Sequence, residues 1–406
     1  MSRGARAAAI LLVPVLGSIA GALHAGPPKD HRVIPDKPVV LSGTSPAQLT
    51  AQSRQTHHYE YVFPDRGMAV YDIDHGHRLV ETVRFPQAAG IRGVGMSARL
   101  RSLFISFGGD GGGQGNGSML AYDLVQGRIR WQCSYRTGID SMAVSRDGRR
   151  IFMPTGELSG GDEWRIISAR TGQPLRTIHG GTGPHNTVAG LDGKRVYLGG
   201  RNSTYLVVAR ASDGKVLKRV GPLYSSVRPF TINGRQTLGF TTATGFLGFQ
   251  VSSLRTGKVL YTVPIKDFNW NPRTFGPSAP SHGISLSPNE KEGWVIDAPN
   301  GYVHVFDVKG LPAKPPRQVA DIALPHKLVG DENPCAYDCA KDGWAQHSRN
   351  GRYVYVGDSG DVISTVTRRA AAFLPALHDS RKSIEIDWRR GRPVFTTTRT
   401  GLGYVR

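Results

Sequence analysis

GPHNTVAGLDGKRVYLGG, residues 183–200, runs from a polar lead-in (His185, Asn186) through an extended segment to a turn at Asp192-Gly193, then out along Val196-Tyr197-Leu198. An Asp-Gly pair between β-branched and aromatic residues signals a β-hairpin, because glycine supplies the positive φ of the tight turn. Versions of this hairpin recur, among them SRDGRRIFMPTGE at 145–157 and SRNGRYVYVGDSG at 348–360. Whatever stands at the His185 position of each copy should stand at an equivalent place in space.

A second series of turns closes each set of strands: Asp74-His75-Gly76, Gln126-Gly127, Thr171-Gly172, Asp213-Gly214, Thr256-Gly257 and Lys309-Gly310. Their glycines recur every 42–53 residues. That period predicts an all-β, seven-bladed β-propeller of four-stranded blades over residues 57–406 and argues against a sandwich. Complete blades begin near Gly90, Gly138, Pro184, Val227, Ser281 and Gly343. The seventh is shared: segments around Tyr59, Met68 and Leu79 lack a first strand, and residues 383–388 supply it, which removes exposed sheet edges where the ring closes. Residues 393–406 receive no place in this scheme.

The chain of 406 residues, 39% hydrophobic, has no long charge block or low-complexity tail, which excludes a disordered class. Arg3 and Arg6, an apolar run from Ala7 to Leu16, and Ala20-Gly21-Ala22 have the layout of a secretory signal peptide over residues 1–22. The expected location is secreted or periplasmic, with no membrane span after cleavage, since the apolar run is shorter than a spanning helix needs. Residues 23–56 read as a proline-rich extended arm with a short helix after Ser45-Pro46. The formal net charge of +20 becomes +18 without the leader and suits an anionic partner: acidic polysaccharide first, nucleic acid as the alternative. A monomer is expected. Of three cysteines, Cys335 and Cys339 share one irregular stretch and are candidates for a disulfide, while Cys133 reads as a buried free thiol.

The hairpins quoted above, followed by RTGQPL or RTGKVL turns, resemble those of the YVTN-type seven-bladed propellers, grouped with the quinoprotein amine dehydrogenase β-chain-like proteins. The resemblance covers nearly all of residues 57–406, although no literal YVTN tetrapeptide is present. It implies the fold; the group includes lactonases, dehydrogenase subunits, lyases and plain binding proteins, so function must come from the site.

Aligning the blades on the turn after the first strand, seven residues upstream of Asp192 is His185. Equivalent offsets give Arg92, Asp140 and His282, and Arg228 in a hairpin two residues shorter. The first strand of a blade is innermost, so these five should ring one mouth of the central channel. In the last full blade the offset reaches Gly343, beside Asp342 and Trp344, with Gln346 and His347 further along. Long loops around 266–280 and 325–342 should reach the same face, bringing Phe268, Trp270, Tyr337 and Trp344 as stacking platforms; Asn186 adds a polar contact, and Tyr224 lies in a neighbouring loop.

Two arginines, two histidines and a carboxylate suit a substrate bearing a carboxylate. In β-elimination on a uronate, Arg92 and Arg228 would clamp the carboxylate, with His185 or His282 as base, Asp140 in support and Tyr224 as acid. The arrangement is similar in kind to the propeller oligogalacturonate lyases, a likeness that implies a divalent metal on His185, His282, His347 and Gln346. A non-catalytic binder of an anionic polymer or a partner protein is the alternative function; a lactonase-like hydrolase or dehydrogenase subunit ranks below both. Weaker signals are the glycine-rich segment 108–117, read as a loop because no helix follows it, a calcium-type acidic group of Glu157, Asp162 and Glu163, and His57-His58, a poor chelate because adjacent strand residues face opposite ways.

Overall fold

The computed structural model describes residues 30–275, 279–332 and 340–398. The leader assigned to residues 1–22, Tyr337 and the Cys335–Cys339 pair lie outside them. Among the described residues, Cys133 is a buried free thiol, and no helix is long and apolar enough to cross a membrane.

Seven antiparallel sheets surround a central channel, numbered here as blades one to seven from the shared blade onward, with strands a to d running from the channel outward. In blade four, strand a is Pro184–Ala189, followed by Arg195–Gly200, Leu206–Arg210 and Val216–Val220. The a-to-b turn holds Gly193 at φ 71°, and Gly148 and Gly351 repeat it at 67° and 71°. Pairing of strands c and d slips by one residue in every blade, as at Val208/Ala209 and Ile166/Ile167. A bulge there increases the local twist, which lets successive blades pack as a ring.

Ring closure is as expected for its first strand and adds more. His57–Val62, Gly67–Asp72 and Arg78–Arg84 pair in sequence, and Ser383–Arg389 completes them on the inner side. The chain then turns back at Arg390-Gly391, and Arg392–Thr396 pairs on the inner side of Ser383–Arg389. Thr396, Thr397 and Thr398 stand against Val94, Ser141, Asn186 and Ile384, residues at the inner strands of four blades, so this extra strand occupies the channel itself. The arm adds outer edges: His31–Val33 pairs with Arg128–Ser134, and Val39–Gly43 with Arg78–Arg84. The arm's helix is Pro46–Leu49, with Ser45 and Gln48 forming a capping box.

Apolar residues from facing sheets of neighbouring blades fuse into cores between them. The shared blade contributes Tyr59, Tyr61, Ile384, Ile386 and Trp388 to one that continues into blade two. Trp388 is fully buried, and its indole N–H donates to the Tyr61 hydroxyl at 3.0 Å. Trp388→Phe should therefore cost about 1–3 kcal/mol, from an orphaned hydroxyl and a small void across the seam. Urea unfolding followed by tyrosine and tryptophan fluorescence measures it; an unchanged midpoint would show that the seam carries little of the stability.

Candidate active site at the channel mouth

The beginnings of the inner strands converge as the hairpin alignment requires. Arg92, Asp140, His185, His282 and Trp344 line one pocket, joined by Arg381 and Lys382 from just ahead of the closing strand. Its free space is about 20 Å³, close to what one water molecule occupies. Arg228, 2% exposed, stands behind His282, and its Nε donates to the Thr244 hydroxyl at 2.8 Å.

His185 is held by one nitrogen only. Nδ1 lies 2.8 Å from Asp140 Oδ2 and 3.7 Å from Glu157 Oε2, while Nε2 is buried without a hydrogen-bond partner among the described residues. Burial opposes ionisation of Asp140, but the charge of His185 and its hydrogen bond, with Arg92 behind them, hold the carboxyl below the usual range. An ionised Asp140 accepts from Nδ1–H, so Nε2 is the ring nitrogen left to the pocket. Arg92 Nη2 donates to Glu157 Oε1 at 3.2 Å, and Arg201 pairs with the other Glu157 oxygen.

The other wall is a denser ion network. His282 Nδ1 faces Gly343 O at 3.0 Å and Asp342 Oδ1 at 3.1 Å. Burial lowers its pKa to about 3, Asp342 works against this and Arg381 and Arg228 reinforce it, so this ring is neutral and a poor base. Arg381 pairs with Asp342, with Glu332 at 3.0 Å and with Asp358 at 3.5 Å; Lys382 Nζ is 3.1 Å from Glu332. Burial opposes ionisation of Glu332, but Lys382 and Arg381 outweigh it and hold the carboxyl low. Burial likewise brings the Lys382 ammonium down to about 8 against the pull of Glu332. Asp358 is driven the other way: burial raises it well above the carboxylate range despite Arg381, with Glu332 adding to the rise. With Asp358 protonated, Arg92, Arg201, Arg228, Arg381 and Lys382 outnumber Asp140, Glu157, Glu332 and Asp342 by one charge.

The remaining sequence candidates are dispersed. Gln346 faces the channel and donates to the Thr397 hydroxyl at 3.0 Å. His347, the next residue, faces the other way, its Nδ1 2.7 Å from the Ser285 hydroxyl and its ring edge-on to Trp294. The set His185, His282, His347 and Gln346 therefore does not assemble. A different trio, Asp140, Glu157 and His185, offers ligand atoms within 4.8 Å of one another, in competition with the two arginines already on Glu157. Tyr224 is 59% exposed and rests on Phe246, away from the pocket. Phe268 packs on Tyr302 and His304, and Trp270 on the apolar core beside it; both pin their own loop. Trp344 does reach the pocket, 5.8 Å from the His282 ring. Asn186 faces the channel below His185, buried, with neither amide atom partnered among the described residues. The acidic group of Glu157, Asp162 and Glu163 is not a cluster: Glu157 is buried between Arg92 and Arg201, and Asp162 pairs with His179 at the surface.

Arg201, Thr244 and Asp358 each directly follow strand b of their blade, and Glu157 comes three residues after the Pro154 that ends its own, a place the hairpin alignment passed over. A second alignment on strand-b ends would have found Arg201, Thr244 and Asp358 directly and come within three residues of Glu157.

At the opposite mouth, the a-to-b turns surround a wider cavity of about 850 Å³, lined by Arg99, Arg146, Arg235 and Arg349 with Phe395 of the channel strand.

Fold and pocket together define a seven-bladed β-propeller with an ionised site at one end of its channel. No protein-family model matches the chain, and no curated protein does. Among solved structures it is similar to hydrazine synthase of Kuenenia stuttgartiensis, at 16% identity and a TM-score of 0.50, over 78% of this chain and 88% of that one. It is also similar to the dihydro-heme d1 dehydrogenase NirN in complex with DHE, at 14% identity and a TM-score of 0.54, over 89% of this chain and 77% of that one. At such identities the likeness is one of fold.

Proposed function

We propose that this chain is an exported propeller enzyme that takes the carboxylate of an acidic, uronate-containing glycan at the channel-mouth pocket and cleaves the chain by β-elimination. The observation that carries this reading is the buried, unpartnered Nε2 of His185, fixed by Asp140 among Arg92, Arg381 and Lys382. The pocket is too narrow for a sugar chain, so the reading is of a terminal uronate presenting its carboxylate at the pocket's opening. Nε2 removes the C5 proton, whose acidity rises as the cations neutralise the adjacent carboxylate. The C5–H electron pair forms the C4=C5 bond, the C4–O bond breaks, and the departing oxygen takes a proton. Lys382, protonated below about 8, fills the acid role that Tyr224 is too distant to play.

The assay is ultraviolet absorbance of the unsaturated product over a panel of oligo-uronates. Turnover should fall as pH rises through about 8, because Lys382 then loses both its charge and its proton. Activity that climbs steadily past that point would remove Lys382 from the mechanism, and a silent panel would sink the lyase reading. The wide, arginine-lined second mouth favours the other reading, a non-catalytic binder of an anionic polymer. Binding of oligo-uronate or single-stranded nucleic acid without turnover, lost on changing Arg99 and Arg235 to Gln, would favour it.

A further inference from the structure

Where the ring closes, two adjacent strands carry four metal-ligand side chains on one face. His58 and Glu60 alternate along His57–Val62, and the register sets them opposite Asp387 and Glu385 of Ser383–Arg389. His58 Nδ1 lies 2.7 Å from Asp387 Oδ1 and 3.4 Å from Glu385 Oε1, and the ligand atoms of these three residues fall within 4.8 Å of one another. Donors bound to one ion at about 2.0–2.2 Å lie roughly 3 Å from each other.

The outer oxygens are already occupied in a way that orients the inner ones. The Arg349 backbone N–H donates to Glu385 Oε2 at 2.6 Å, and its guanidinium pairs with Asp387 Oδ2. Partners of this kind fix ligand carboxylates in known metal sites. Glu60 is the independent observation. It is fully buried and pairs in register with Glu385, and among the described residues neither of its oxygens makes a well-formed hydrogen bond, the Ser383 side chain being its one polar support. Burial drives this carboxyl well above the usual carboxylate range, and a bound cation would satisfy oxygens that buried groups seldom leave without full partners. The His58 side chain is 25% exposed and leaves an entry path.

We propose that His58, Glu385 and Asp387, with the buried Glu60 next along the same face, bind one divalent first-row transition ion that staples the two ends of the propeller. One imidazole with carboxylates suits manganese or zinc better than calcium, which takes oxygen alone. The ion bridges the strand that enters the ring to the strand that closes it, so its effect is on stability, separate from chemistry at His185.

The test uses the full chain stripped with EDTA and titrated with Mn²⁺, free aquo-manganese being followed by paramagnetic resonance and unfolding by a thermal melt. The expected result is uptake of about one ion per chain with a rise in Tm. Glu60→Gln and Glu385→Gln should each weaken uptake by roughly tenfold or more, and His185→Ala should leave it intact. If Glu385→Gln does not fold, Glu60→Gln and the partly exposed His58→Gln carry the comparison. No stoichiometric uptake, or uptake indifferent to all three variants, overturns the proposal and leaves the cluster an ion-pair network. Uptake lost only in His185→Ala overturns it in favour of the pocket trio.

Discussion

His185→Ala should lower turnover of the oligo-uronate substrate by about 10²–10⁴, the range general-base catalysis supplies, while binding of free galacturonate changes much less. The split follows from geometry: Arg92, Arg381 and Lys382 supply charge for the carboxylate, and His185 presents Nε2 to the pocket. Asp140→Asn tests the same assignment from behind. It keeps the volume but removes the acceptor that obliges Nδ1 to carry the hydrogen, so the ring is free to turn the wrong tautomer toward the pocket. Turnover should fall with affinity kept, and the acid limb of the pH profile should move. A purely structural His185 would instead lower Tm and affinity together in both variants and leave the pH profile of the residual activity in place. His282→Ala is the internal control on the choice of base: that ring is neutral and engaged through Nδ1, so its loss should act on KM through Trp344 and Asp342 more than on kcat.

The five ring residues found from the hairpin were legible because the beginning of strand a is a topologically fixed place, and one turn motif sets its register in each blade. The residues that complete the site were not, for two reasons. Arg381 and Lys382 precede a strand whose sequence resembles its siblings less, and Glu332 comes from an irregular segment with no offset to count. Gln346 and His347 show the limit of proximity in sequence: a period of two sends neighbours to opposite faces, so His347 packs on Trp294 while Gln346 meets Thr397 in the channel. The same rule makes His57-His58 a poor chelate, yet one of the pair meets Glu385 and Asp387 from a strand more than three hundred residues away. Loop aromatics carried no such rule. Phe268 and Trp344 read alike as candidate platforms, and only the fold distinguishes the one that pins a loop from the one that faces the pocket.

Arg381→Leu should cost about 3–5 kcal/mol of stability at neutral pH, the range for breaking a buried ion pair from one side. Its guanidinium serves Asp342, Glu332 and Asp358 together, and its side chain is 4% exposed. Leucine fills much of the space but leaves carboxylates that burial already penalises. Lys382 still holds Glu332, so the loss concentrates on Asp342, which is left facing the neutral His282 ring at 3.1 Å. The pH dependence separates this account from simple misfit. Glu332 is held low in the folded protein, so its contribution is present above its unfolded pKa of about 4.5 and is lost as pH falls toward the depressed value. Arg381→Leu raises the folded pKa of Glu332 and narrows that window. The deficit relative to wild type should therefore be largest near pH 7 and shrink as pH falls below about 4, where the stranded carboxylates protonate. Urea unfolding across that range measures it, and a deficit constant with pH would assign the cost to packing instead of charge. Glu332→Gln combined with Arg381→Leu should recover part of the loss, since removing the anion with its partner leaves less uncompensated charge.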